Sequence, residues 1–165
     1  MDILSHGVYS IALNKTVDKK KKSVREIFVA FFWGIAPDLF AMSPSFLIAL
    51  SMGSFDHHAY WKGYDISGFL YPLTHSLIIF GAIFLAVYLL IKRWYLSMLG
   101  WGLHILFDIP FHTQDFYPTP FLFPISSYML PFGILWRTPE IWASLWAIGI
   151  IWVVWAFYGK YNRSQ

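Results

Sequence analysis

The chain contains no cysteine. Disulfides and thiolate metal sites are excluded, so any bound metal must be held by histidine, aspartate or glutamate. Charge is also scarce. Asp, Glu, Lys and Arg make up 13% of the 165 residues, against about a quarter in an average soluble domain. The charges are unevenly spread: none falls between Ile66 and Ile91, or between Ile141 and Gly159. A helix needs about 20 predominantly apolar residues to cross a bilayer, and both stretches qualify. This shortage of charge excludes a disordered chain, a collagen and an ordinary water-soluble enzyme. There is no internal repeat.

What is present is apolar: 58% of residues are hydrophobic, 21% are aromatic, and the mean hydropathy is +0.53. The expected fold class is all-α, a polytopic membrane helical bundle of about four spans plus a short, partly inserted N-terminal helix. It forms a single integral-membrane domain over 1–165. Residues 1–13 are too short to span, and lysines follow them rather than precede them, the reverse of a signal peptide. The first span is expected at 27–52, interrupted at Gly34-Ile35-Ala36-Pro37-Asp38 and at Pro44. Proline inside a helix removes a backbone bond and clashes with the preceding turn. A polar loop is expected at 53–68, with Asp56, His57, His58, Lys62 and Asp65. Further spans are expected at 69–91, 95–112 and 139–159. The last is started by Thr138-Pro139-Glu140, a cap, a first-turn proline and an acid at the positive helix end. The uncharged stretch 116–136 holds Pro118, Pro120, Pro124 and Pro131, which exclude a simple span and indicate an irregular, outward-facing cap.

Ten of the twelve basic residues lie in 14–26, 92–94 and 160–165; Lys62 and Arg137 are the other two. Lys and Arg in short loops mark the cytoplasmic side, so both termini are expected near the cytoplasm. The run Lys15–Arg25 then meets anionic lipid headgroups. No stacking motif or reading helix accompanies it, so nucleic acid is not an expected partner.

Ionisable groups inside spans are costly and by default mark a functional site. The spans and the N-terminal insert hold His6, Asp38, His75, His104, Asp108 and, at one end, His112. His104-x-x-x-Asp108-x-x-x-His112 places three of them on one helical stripe, with Pro110 expected to displace the last. Imidazole and carboxylate at this spacing can bind a divalent ion; the competing reading is a satisfied buried polar cluster. With a rise of about 1.5 Å per residue, Asp38, His75, His104 and Asp108 fall at similar depth in the outer half of the bilayer, and His6 can reach that layer from below. Asp115 is either an outer carboxylate or the start of the Pro-rich turn. His57 and His58 read as exposed loop residues, and Glu140 as a helix-start charge.

The same residues resemble a family. Met1-Asp2-x-x-Ser5-His6-Gly7, Gly34-Ile35-Ala36-Pro37-Asp38-Leu39, Thr74-His75-Ser76-Leu77, Gly102-x-His104-x-x-x-Asp108-x-Pro110-x-His112 and Asp115-Phe116-x-Pro118-Thr119-Pro120-Phe121-Leu122 resemble the bacterial membrane-bound metal-dependent hydrolases, the LexA-regulated inner-membrane hydrolase group. That family is in turn similar to zinc-dependent phospholipase C and the S1/P1-type nucleases, helical enzymes that cleave phosphodiesters with clustered metal ions. The resemblance implies that His6, Asp38, His75, His104, Asp108 and His112 are metal ligands. It implies zinc first, manganese or another divalent ion second, and a bacterial cytoplasmic membrane. The secreted enzymes carry a further His-x-x-x-Glu pair that this chain lacks, which points to one or two ions rather than three.

The expected function is a membrane-embedded metal-dependent hydrolase, a phospholipase C-like phosphodiesterase or related esterase, cleaving a membrane lipid. Asp38, Asp108 and Asp115 are its candidate catalytic carboxylates. The Pro-rich cap is suited to gating the site or binding acyl chains. The alternative is a non-catalytic metal-binding or ion-transport protein using the same cluster. On the third span the polar stripe fades inward of His104, at Leu103, Gly100 and Leu96, which favours the enzyme.

Overall fold

The computed structural model describes residues 1–18, 22–53, 57–112 and 117–158, the side chains of 57–65 excepted. The described residues form six α-helices and one short 3-10 turn, with no strand among them. The helices are α1 (Ile3–Val17), α2 (Val24–Ser51), α3 (His57–Thr74), α4 (Leu77–Ile91), α5 (Leu99–Phe111, preceded by the turn Leu96–Met98) and α6 (Pro139–Tyr158). Local signals explain several starts. Asp2 caps α1, its Oδ1 accepting from Ser5 N at 3.0 Å. Ser23 and Glu26 form a reciprocal capping box on α2. Ser76 caps α4 by accepting from Ile78 N and Ile79 N. Pro139 and Glu140 occupy the first turn of α6, as expected.

The molecule is built with its polar groups inside. Helix α1 packs against α2, α5 and α6, and its buried residues include Ser5, His6, Gly7, Ser10 and Asn14. The outside carries Phe28, Phe40, Leu47, Leu90 and Ile151, each more than half exposed, and α4 buries no residue. Water would penalise so much exposed apolar surface, whereas lipid does not. Small residues let the helices close together, as in membrane bundles. A Cβ added to Gly34 would stand 2.5 Å from the His6 carbonyl oxygen, and one on Gly100 would stand 1.9 Å from Ser10 Oγ. An apolar patch of Tyr9, Leu145 and Met1, with Phe107 and Trp152 against it, joins α1 to α5 and α6.

Three expectations change. The first span is not interrupted: α2 runs unbroken through Pro37 and Pro44. A proline withdraws only one backbone bond, and the surrounding packing of α1, α3 and α5 on α2 holds the helix through it. The expected loop at 53–68 is helical from His57 on, and α3 continues to Thr74. Its packing along α2, where the Ser45 and Ser67 hydroxyls hydrogen-bond, outweighs its polar composition. The second span then breaks at His75-Ser76, with Ile66–Thr74 and Leu77–Ile91 bent by 61°. As a result, the described residues hold fewer than the four spans expected. Two helices, Val24–Ser51 and Pro139–Tyr158, are long and apolar enough to cross a membrane; the bent pair makes a third, and Leu96–Phe111 is shorter.

The Pro-rich segment is irregular over its described part, as expected. At the other end of the bundle, Lys22, Arg25 and Arg93 line one polar cleft of about 650 Å³ with Asn14 and Ser97. Two of the three basic regions therefore share an end; Lys160 and Arg163 lie outside the described residues.

Candidate metal centre

Four segments contribute side chains to one buried point. His6 comes from α1, Asp38 from the middle of α2 and His75 from the break between α3 and α4. His104 and Asp108 come from α5, and His112 caps its C-terminus. All six are buried, and the side chains of His6, His75, His104 and Asp108 are at most 1% exposed. The least covered are Asp38 at 10% and His112 at 7%.

Asp38, His75, His104 and Asp108 can offer one ligand atom each, all within 4.8 Å of one another. His75 Nε2 lies 3.1 Å from His104 Nε2. Asp38 Oδ1 is 3.4 and 3.6 Å from those two nitrogens, and Asp108 Oδ2 is 3.4 and 3.0 Å from them. Four ligands about 2.0–2.1 Å from a shared tetrahedral ion stand about 3.3 Å apart, so the five separations have the right size.

Asp108 turns its other oxygen to a second group. Oδ1 lies 3.0 Å from His6 Nε2, 3.4 Å from His112 Nε2 and 2.8 Å from the Met1 amino nitrogen. The ring of His6 stacks on His104 with centroids 3.7 Å apart. Neither nitrogen of His6, nor Asp108 Oδ2, makes a directed hydrogen bond among the described residues. These are close approaches that lack hydrogen-bond geometry, as expected where donors aim past one another at a common centre.

The tautomers support this. A carbonyl oxygen can only accept, so a ring nitrogen facing one must carry the proton. His104 Nδ1 faces the Gly34 carbonyl at 2.7 Å and His112 Nδ1 faces the Tyr117 carbonyl at 2.8 Å. Both rings therefore donate outward and present an Nε2 lone pair inward, the arrangement in which an outer partner orients a metal-binding histidine. His75 Nδ1 stands 2.9 Å from the Thr74 hydroxyl and 3.2 Å from the Tyr71 carbonyl, and its Nε2 meets that of His104. Imidazole nitrogens beside two carboxylates make a centre that can hold a cation. The donor set fits a divalent metal ion.

Local sequence explains the outward partners. Pro37 withdraws the hydrogen bond owed to the Trp33 carbonyl, and the neighbouring Gly34 turns its own carbonyl to His104. The break at His75-Ser76 frees backbone groups that the cap and Trp101 satisfy. Leu77 N donates to the Phe121 carbonyl at 2.9 Å, Ser76 Oγ donates to the Phe123 carbonyl, and Trp101 Nε1 donates to the Thr74 carbonyl at 2.6 Å. Tyr117 sits at φ 49°, a left-handed conformation that costs a side-chain-bearing residue energy. Its carbonyl receives both His112 Nδ1 and, at 3.0 Å, Tyr71 Oη.

All six sequence-derived metal candidates thus meet at one centre. His112 does so from beyond the helix end, the displacement expected of Pro110. Asp115 lies outside the described residues, as do the side chains of His57 and His58. Tyr71, Thr119 and the carbonyls of Gly34 and Tyr117 were not expected from sequence. Tyr71 precedes His75 by one helical turn, the same i,i+4 spacing that singles out Asp108.

The chain matches no protein-family model, no curated protein and no solved structure.

Proposed function

We propose that the protein is a membrane-embedded metal-dependent hydrolase acting on a lipid ester or phosphodiester, as the motif resemblance implies. The observation that carries the reading is the convergence of inward Nε2 lone pairs and carboxylate oxygens around Asp108. One ion would be held by Asp38, His75, His104 and Asp108 Oδ2. Asp108 Oδ1, His6 and His112 would hold a second with the Met1 amino group displaced, since that nitrogen stands 2.8 Å from Oδ1 and 3.0 Å from His112 Nε2. Zinc is the first choice, because nitrogen and carboxylate donors at these separations suit it. Such an ion supplies Lewis acidity and lowers the pKa of a water toward neutrality. The chain's residues do the rest. Asp108 divides its two oxygens between the two groups and keeps them in register. Asp38, the most exposed carboxylate of the cluster, is placed to orient or accept a proton from the attacking water, a task Asp115 would share if it reaches the site. In this reading the protein lies in a bacterial cytoplasmic membrane with both termini on the cytoplasmic side and Lys15–Arg25 against anionic headgroups, and its exposed apolar surface supports a lipid as substrate.

The rival reading, an ion carrier, has one observation in its favour. His6, Ser10 and Asn14 form a buried polar line along α1, toward the basic cleft. The line is closed, however. Ser10 Oγ is committed to the Ala30 carbonyl and Asn14 Nδ2 to Ser97 Oγ. Where a methyl on Gly100 would stand 1.9 Å from Ser10 Oγ, a hydrated ion has no passage.

The test is metal content of purified wild-type protein and of Asp108→Ala, followed by release of soluble phosphate headgroups from a lipid panel. Stoichiometric metal in the wild type and its loss in the variant are expected. A wild type without stoichiometric divalent metal sinks the reading. A metal-loaded protein that turns over no lipid or nucleotide ester leaves the non-catalytic alternative.

A further inference from the structure

A second cavity, of about 360 Å³, lies between α3 and the Pro-rich cap, with Gly68, Tyr71 and Pro72 on one side and Pro120, Phe123 and Met129 on the other. That volume is at the lower end of the range of about 300–1,000 Å³ typical of small-molecule sites. Among the described residues, no Asp, Glu, Lys, Arg or His lines it. Tyr71 is the wall it shares with the metal centre. The tyrosine ring stacks on His75 with centroids 3.8 Å apart, and its hydroxyl lies 2.9 Å from His112 Nδ1. Phe69, next to Gly68 in the chain, and Ile125, between Phe123 and Ser127, are well exposed, so the mouth continues into the apolar outer surface.

We infer that this cavity is an acyl-chain subsite, seating one hydrocarbon tail of a membrane lipid so that its polar end lies at the Tyr71 side, next to the cluster. The inference rests on the proposed lipid-hydrolase reading and names the part of the substrate that the cap selects. A headgroup is the wrong occupant, because charged groups would be buried there without ionic partners. A tail already sits in an apolar solvent, so the cavity gains little by burial. It acts by shape, holding the tail in one register relative to the metal centre.

Glycine 68 allows a clean test. Gly68 lines the cavity and a Cβ there meets nothing within 4 Å, so Gly68→Phe adds a ring at this wall with room for its first carbon. Gly81→Phe is the control: its Cβ is equally free, on exposed α4 outside the cavity. The probe is phosphatidylglycerol with a photoactivatable diazirine in one acyl chain, in nanodiscs, with labelled peptides mapped by mass spectrometry. Saturable labelling at Phe123 and Met129 is expected in wild type and Gly81→Phe, and its loss in Gly68→Phe, with metal content unchanged in all three. Met129→Trp, which fills the cavity from the cap side, should repeat the loss and serves if Gly68→Phe does not fold. Labelling at these positions that is no more saturable than at lipid-facing Leu90 and Ile151, or that survives both filling variants, overturns the subsite. Turnover separates the two claims. If wild type hydrolyses lipid and filling the cavity leaves long-chain turnover unchanged, the subsite falls and the hydrolase stands. If labelling is saturable but no lipid is cleaved, the hydrolase falls and a lipid-binding cavity remains.

Discussion

Asp108 is the residue on which both halves of the cluster meet, since each of its oxygens faces a different set of nitrogens. Its substitution should therefore affect more than one ligand position, whereas residues behind the histidines should have graded effects. Tyr71 is such a residue. Its hydroxyl donates to the Tyr117 carbonyl and accepts from His112 Nδ1, fixing the ring through its far side. Removing an outer partner of this kind costs about 10–100-fold in metal affinity. Tyr71→Phe should retain the fold and bind metal at least about tenfold more weakly, measured by competition with a chromogenic chelator. Unchanged affinity would mean that Tyr71 does not support a ligand and that the Tyr117 carbonyl alone orients His112. The pattern His104-x-x-x-Asp108-x-x-x-His112 was legible because steps of four on a helix repeat a face. The carbonyls of Gly34 and Tyr117 were not, because every residue has a carbonyl and only the fold aims one.

At the scale of elements, the centre depends on α1, α2 and α5 touching almost backbone to backbone. Gly100 and Gly34 meet Ser10 at that crossing. Gly100→Ala places its methyl 1.9 Å from Ser10 Oγ and 2.8 Å from Ser10 Cβ, overpacking that usually costs about 1–3 kcal/mol. The expected result is a lower unfolding temperature and weaker metal binding together, as α1 and its His6 are pushed away. Adding Ser10→Gly removes the obstructing atoms and should restore part of both, a coupling readable in a double-mutant cycle. Purely additive losses would show that the crossing is looser than described. The elements themselves were read from sequence with mixed success. α1, α5, α6 and the irregular cap followed from apolar runs, caps and prolines. The continuity of α2 through two prolines and the helical nature of His57–Thr74 did not, because neighbouring helices decided them.

For the whole molecule, candidate ligands drawn from four segments would make metal binding and global stability one equilibrium. Stripping metal with a chelator should lower the thermal midpoint of the detergent-solubilised protein, and re-adding zinc should restore it. A ligand at about 1,000 times its dissociation constant contributes about 4 kcal/mol, so a midpoint indifferent to chelation argues against a tightly held ion. Topology is testable at the same scale, helped by the absence of native cysteine. A single cysteine at Arg93 should react with an impermeant thiol reagent only from the cytoplasmic side, and one at Glu140 only from the outside. The reverse pattern would invert the orientation drawn from the lysine and arginine counts.

Composition alone determined that the chain carries helices apolar enough for lipid, and within such helices the few remaining ionisable groups are too costly to be incidental. The spacing of histidine and aspartate selected the six residues that meet. Only the tertiary structure decided how they meet: which oxygen of Asp108 faces which ring, which nitrogen of each histidine points inward, and that Tyr71 and the cap stand at their back. Those outcomes depend on helix crossings and backbone carbonyls that local sequence does not encode. They arise from close packing at Gly34 and Gly100, and from a bend at His75-Ser76 whose freed backbone groups found partners in the cap.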